Sequence, residues 1–400
     1  MAKDQKRRYV TLDDASDLRL AKEDPIQFFA KYPPPVLIDE IQRAPNLFLE
    51  IKKIVDAREE CNQFWLTGSH IFHLMQNVAD SLAGRMAVLN LQGFSQAEKM
   101  NDHERPAFLP NISLRQERPI LSKKEIFKMI VKGSFPRLFN SKVKWPLYFS
   151  SYVSTYIERD VQEISNIGHK SAFDNFLKIM AARTGQILNF NEIANALEVS
   201  APTVKSWVSI LETSGLIYLL HPYARNLGQR MIKRPKMYFI DTGLCCYLNG
   251  ITTAEMAIAS TINGALFETY VVSEILKSYW HNGERPDLYF FRDAKNNREI
   301  DLLLEAQNKI WPIEIKLTSS PNLHMAKNFE IIDPAKRGKG AIICTAEKFM
   351  PMNKNIMMIP ASYIWPTSLL IQAAKTHQCK YTPTIYLIAG VYLHMINVTR

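Results

Sequence analysis

Short, unbroken apolar runs punctuate the first hundred residues. Val36 Leu37 Ile38 ends in Asp39 and Glu40; Gln63 Phe64 Trp65 Leu66 leads to Thr67, Gly68 and Ser69; and Val88 Leu89 Asn90 Leu91 follows Arg85. Runs without polar alternation suit strands buried on both faces, and the stretches between them predict alternating strands and helices. Acids at the end of such a strand are placed to hold hydrated Mg2+ through Asp39 and to polarise water through Glu40. A core strand with helix-capping acids gives the same pattern. Thr67 and Ser69 fall where a polar residue can sense a nucleotide, and Arg85 where a cation can meet phosphate.

Pro106, Pro110 and Pro119 mark residues 101–150 as a linker that leads into a helix at 123–131, broken by Gly133 Ser134 Phe135 Pro136. Helical spacing returns at 145–164. Residues 190–197 form a short amphipathic helix, 199–202 a tight turn, and 203–214 a second helix. Val204, Trp207, Val208 and Leu211 keep one face of that helix inward, leaving Thr203, Lys205 and Ser206 outward for a DNA groove. A strand at 216–220, the basic residues Arg225, Arg230, Lys233, Arg234 and Lys236, and a second strand at 237–240 predict a winged helix with a basic wing. A packing or oligomerisation module is the alternative.

The third stretch predicts a helix at 261–279 that projects Glu268, then strands at 288–292, 298–305 and 310–317. Alternation sets Ile300, Leu302 and Leu304 on one face and Asp301 on the other, while Glu314 and Lys316 share a face. Asp301 and Glu314 can then hold one Mg2+, Lys316 can orient the attacking water, and Glu268 can complete the set, as phosphodiester hydrolysis requires. Surface salt bridges are the competing reading. The apolar run at 385–396 is shorter than the roughly 20 residues that span a bilayer, and residues 363–400 receive no role.

Composition bears on partners more than on fold. Forty-nine Lys and Arg against 39 Asp and Glu give a net charge of +10, which favours a polyanion such as DNA. Apolar residues at 47% and charged ones at 22% exclude a long disordered chain or a coiled-coil rod. Five cysteines without a CxxC pair point to a reduced, cytoplasmic setting, and no signal peptide or membrane partner is expected.

Taken in order, the strings 36–40, 63–69 and Ser81 Leu82 Ala83 Gly84 Arg85, with Tyr156 Ile157 Glu158 Arg159 Asp160 Val161 and Gly264 Ala265 Leu266 Phe267 Glu268, resemble a known family. It is the bacterial and archaeal AAA-type ATPase family that carries a C-terminal domain of undetermined function, and the resemblance covers about residues 8–362. The resemblance implies an α/β chain: a P-loop ATPase-like parallel sheet over 1–100, a helical linker over 101–150 and a helical plus winged-helix domain over 151–245. A restriction-endonuclease-like PD-(D/E)xK domain over 255–362 and a tail over 363–400 follow. It further implies Asp39 and Glu40 as Walker B acids, Ser69 near sensor 1, and ATP and Mg2+ as cofactors.

Family members carry a phosphate-binding loop upstream of the segment that matches Tyr9 to Asp14. None of the fifteen glycines here opens a GxxxxGK[ST] motif, and the only Gly-Lys pair, Gly338 Lys339, lacks the upstream glycine. The expectation is therefore a truncated or degenerate ATPase core, impaired in ATP binding and hydrolysis but associated with DNA. A Mg2+-dependent nuclease and a binding scaffold are the competing readings, and self-assembly is left open.

Overall fold

The computed structural model describes residues 7–57, 60–68, 85–100, 106–110, 121–139, 143–157, 170–224, 234–293, 295–364 and 385–389. Ser69, Arg225, Arg230, Lys233 and most of the tail lie outside the described residues. The chain forms two compact units, one of residues 1–92, 213–215 and 373–400, the other of 93–212 and 216–372. The sequence expectation of an α/β chain is met.

In the first unit the apolar runs become strands β1 (Arg8–Thr11), β2 (Val36–Asp39), β3 (Phe64–Gly68) and β4 (Met86–Asn90). β1 pairs with β2 and β2 with β3, both in parallel. Parallel neighbours need a crossover, and helices Ala15–Glu23 and Pro25–Lys31 supply the first, Leu47–Asp56 the second. Asp14 caps the first helix by accepting from the amides of Ser16 and Asp17, and Asp24 caps the second, where Pro25 has no amide to lose. Leu47, Phe48, Ile51 and Val55 recur at helical spacing and are buried, against a core that includes Val10, Phe28, Ile38 and Leu66. Between β3 and β4 lies a strand from far along the chain, Ile385–Ala389, parallel to both.

Among the described residues the second unit is built on a nine-stranded mixed sheet, crossed in the order 350–351, 356–360, 340–344, 309–316, 298–306, 287–293, 217–222, 236–239 and 186–187. Its strands are β5 (Gln186–Ile187), β6 (Ile217–Pro222), β7 (Lys236–Phe239), β8 (Asp287–Asp293), β9 (Arg298–Ala306), β10 (Lys309–Lys316), β11 (Gly340–Cys344), β12 (Met350–Pro351) and β13 (Ile356–Pro360). β8, β9 and β10 form an antiparallel meander. Its second turn is the two-residue loop Gln307 and Asn308, with φ of 53° and 57°, the positive values that a twisted hairpin requires. β10 and β11 then run parallel in the register Glu314↔Ile342 and Lys316↔Cys344.

Helix Phe190–Leu197 ends at Glu198 in the left-handed region, and helix Ala201–Thr213 follows. Trp207 anchors the second helix by packing 5.3 Å from the ring of Phe173 and 5.2 Å from that of Phe176, both on helix Lys170–Ala182. The two strands after this pair join the meander, since β6 pairs antiparallel with β7 and parallel with β8. Strand β9 departs from simple alternation: Ile300, Leu302, Leu303 and Leu304 are all buried, so both faces of the strand are covered. Lys236, expected on the exposed wing, instead opens β7 and is 5% exposed, because its ammonium finds carboxylates inside the unit.

Candidate functional site

Three strands and one helix of the second unit converge on a buried ionic cluster. The pairing of β9 with β10 brings Asp301 beside the Glu314 and Lys316 pair, and the Lys316 ammonium lies 2.7 Å from Asp301 Oδ2 and 2.7 Å from Glu314 Oε2. The amide of Ile315 also donates to Asp301 Oδ2 at 2.9 Å. From helix Asn263–Trp280, Glu268 accepts a 2.6 Å hydrogen bond from the Tyr238 hydroxyl and stands 3.6 Å from the Lys236 ammonium. Lys236 is also 2.7 Å from Glu299 on β9. The structure thus puts Asp301, Glu314 and Lys316 in direct contact, while Glu268 is held by Tyr238 and Lys236 at the edge of the cluster.

Lys236, Tyr238 and Glu299 are site residues that sequence reasoning missed. Lys236 and Tyr238 are two apart at the start of a strand, so a shared face was readable, but a lysine at the end of a basic stretch reads as solvent-exposed.

Burial and mutual charge split the protonation behaviour of the carboxylates. Glu314 is pushed up to about 8 by burial and by the neighbouring Asp301 charge, which Lys316 only partly offsets. Burial would raise Asp301 as well, but Lys316, Lys236 and the Ile315 amide together hold it below the usual range. Glu268 is raised, mainly by burial. The carboxylates around Lys316 outweigh burial and keep it firmly protonated.

Among the described residues no three His, Cys, Asp or Glu side chains gather closely enough to form a metal cage. Mg2+ ordinarily needs only one or two carboxylates and keeps its waters. Asp301 and Glu314 already converge on a single cation, the Lys316 ammonium, and Glu314 Oε1 is buried without a hydrogen-bond partner. These residues fit such an ion. An open cleft of 770 Å³ begins one residue beyond Lys316, lined among others by Leu317, Thr318, Thr345, Lys123 and Lys348.

In the first unit, the acids at the end of β2 also have defined surroundings. Asp39, 5% exposed, accepts from the Tyr9 hydroxyl at 2.9 Å and from the Thr67 hydroxyl, so all three parallel strands meet at it. Glu40 adopts φ of 58°, unusual for a residue with a side chain, and accepts from Gln42 Nε2. Arg85 is paired with Asp56 at 2.7 Å.

On helix Ala201–Thr213, Lys205 and Ser206 are exposed and Thr203 is half-buried, with its hydroxyl 2.7 Å from that of Ser200. Arg234 is exposed. No described helix is long and apolar enough to cross a membrane.

Residues 1–100 match the AAA-domain family, residues 123–255 a domain of unknown function designated DUF8612, and residues 263–364 a domain of unknown function designated DUF4143. Two uncharacterized proteins, of Mycobacterium bovis and Mycobacterium tuberculosis, are each 24% identical to the chain over 334 residues, covering 83% of it and 69% of the relative. The crystal structure of protein VC1899 from Vibrio cholerae aligns over 90% of this chain and 89% of that one at 11% identity, but its TM-score of 0.18 lends nothing to the fold. An AAA domain at one end and a DUF4143 domain at the other together support placing the chain in an AAA-type ATPase family.

Proposed function

We propose that this AAA-type ATPase-family chain is DNA-associated and that its second unit hydrolyses phosphodiester bonds, with Mg2+ held by Asp301 and Glu314. The observation that carries the reading is the Lys316 ammonium, 2.7 Å from each of those two carboxylates on adjacent strands. Asp301 and Glu314 would hold such an ion, which would supply Lewis-acid polarisation of the scissile phosphate. Lys316, held protonated, offsets the charge that develops on the phosphate and orients water, and it does not act as a base. Glu314 must lose its proton to serve as a ligand. Lys236 and Tyr238 fix Glu268 at the edge of the cluster. The net charge of +10 and the outward Lys205 and Ser206 supply attraction for the DNA backbone.

The test is cleavage of plasmid and single-stranded DNA with Mg2+ or Mn2+. Asp301→Ala and Lys316→Met are each expected to lower the rate by about 100-fold or more. Equal rates for wild type and Asp301→Ala would overturn the reading.

A second reading draws on Asp39, held between the hydroxyls of Tyr9 and Thr67 at the carboxyl ends of three parallel strands. It is a nucleotide half-site, with Glu40 beside it to polarise water. The 400 residues contain no GxxxxGK[ST], so this chain by itself grips a triphosphate weakly. A labelled ATP analogue that saturates the chain at micromolar concentration would refute the impairment and favour a working ATPase.

A further inference from the structure

The order of the first unit's sheet reverses at a strand that comes from the other end of the sequence. β1, β2 and β3 are laid side by side in chain order, and β4 lies beyond Ile385–Ala389, which pairs with both β3 and β4. The pairing is complete over five residues on each side; Leu387, for instance, stands opposite Leu66 and opposite Val88. With neighbouring strands about 4.8 Å apart, β3 and β4 are separated by about 10 Å across this strand and cannot bond to each other unless one moves by a full strand width. Ile385 Tyr386 Leu387 Ile388 Ala389 carries no charge, proline or glycine, as a strand in the middle of a parallel sheet demands.

In open parallel α/β sheets the ligand crevice lies outside the carboxyl ends of the strands, at the point where strand order reverses. Here that point belongs to the tail. Its carboxyl end is level with the acid cluster, since Ile388 is opposite Thr67, the donor to Asp39, and Ala389 is opposite Gly68.

We infer that residues 385–389 are a strand inserted between β3 and β4 that occupies the ligand-facing position of the first unit's sheet, level with Thr67 and next to the strand pair that holds Asp39. The first unit is thus assembled from both ends of the chain.

Hydrogen exchange on the full chain tests this directly. Amides of 385–389 are expected to exchange at least about 100-fold more slowly than in a free peptide of the same sequence. Leu387→Pro removes an amide and distorts both ladders, and it is expected to speed exchange in β3 and β4 while β8, β9 and β10 stay protected. Free-peptide exchange at 385–389 in the wild-type chain would overturn the inference. So would unchanged protection of β3 and β4 in Leu387→Pro.

Discussion

The Lys236 ammonium lies 3.6 Å from Glu268 Oε1, tying β7 to the long helix beside the ionic cluster. It also reaches Glu299 at 2.7 Å, with its own side chain only 6% exposed. Lys236→Met therefore leaves Glu268 without its nearest cation and Glu299 with only Arg292, 3.9 Å away. Breaking one side of a buried ion pair typically costs about 3–5 kcal/mol. The upper half of that range is not expected here, because Glu299 keeps contact with solvent and with Arg292. Urea denaturation of Lys236→Met should show a loss near 3 kcal/mol. Adding Glu268→Gln should recover part of it. A single variant as stable as wild type would show that the pair does not hold the unit together.

Glu314 ties stability and activity to pH. Its carboxyl is pushed up to about 8 from an ordinary 4.5, so the folded chain binds this proton more tightly than the unfolded chain does. The stability that follows is fully present below 4.5 and is lost as pH rises through about 8. Asp301 is shifted down and has the opposite sign: its contribution is present above 3.8 and is lost as pH falls through its lowered value. Wild type should thus lose stability, by a few kcal/mol at most, between weakly acidic and weakly alkaline pH. Glu314→Gln should flatten that slope and abolish the proposed metal-dependent cleavage, which in wild type should rise with pH as the ligand ionises. Parallel stability curves for variant and wild type would rule out the raised value.

Much of this site was legible in the sequence because strand alternation and hairpin length are local rules. Asp301, Glu314 and Lys316 needed only the period of two and a short turn between their strands. Ser134 and Asp241 show what such rules miss. Gly133 Ser134 Phe135 Pro136 reads as a helix break, yet the Ser134 amide and hydroxyl both donate at 2.6 Å to Asp241, more than a hundred residues away. Asp241 caps its own helix as well, accepting from the Leu244 amide at 2.7 Å. No periodicity encodes a partner at that separation. The strand at 385–389 is illegible for the same reason: its apolar run was visible, but its place between β3 and β4 depends on pairing across about 300 residues or more.

Gly243 makes the Ser134 contact possible. A Cβ there would lie 2.8 Å from Gly133 Cα and 2.9 Å from Gly133 N, both backbone atoms that cannot rotate away. Gly243→Ala must therefore push two segments apart, and a loss of about 2–3 kcal/mol is expected by thermal or urea unfolding. Gly264, in the first turn of helix Asn263–Trp280, has nothing within 4 Å of a built Cβ. Gly264→Ala should be neutral or stabilise by about 0.5–1 kcal/mol. Equal effects at the two glycines would contradict the close approach.

DNA binding through the helix Ala201–Thr213 carries its own signature. Lys205 is the one basic side chain on that helix, and it is exposed, with its ammonium 5.7 Å from the ring of Phe190. A lysine so placed can neutralise a phosphate but has no second fixed donor with which to read a base edge. Lys205→Ala should then weaken binding to unrelated DNA sequences alike and reduce the slope of log affinity against log salt by about one. Arg234→Ala, at the start of the segment that enters β7, should act in the same way, because this arginine is exposed whereas Lys236 two residues later is not. Fluorescence anisotropy over a salt series would measure both slopes. If neither substitution changes the slope, Lys205 and Arg234 do not contact DNA, and the cleft lysines Lys123 and Lys348 are the next to substitute.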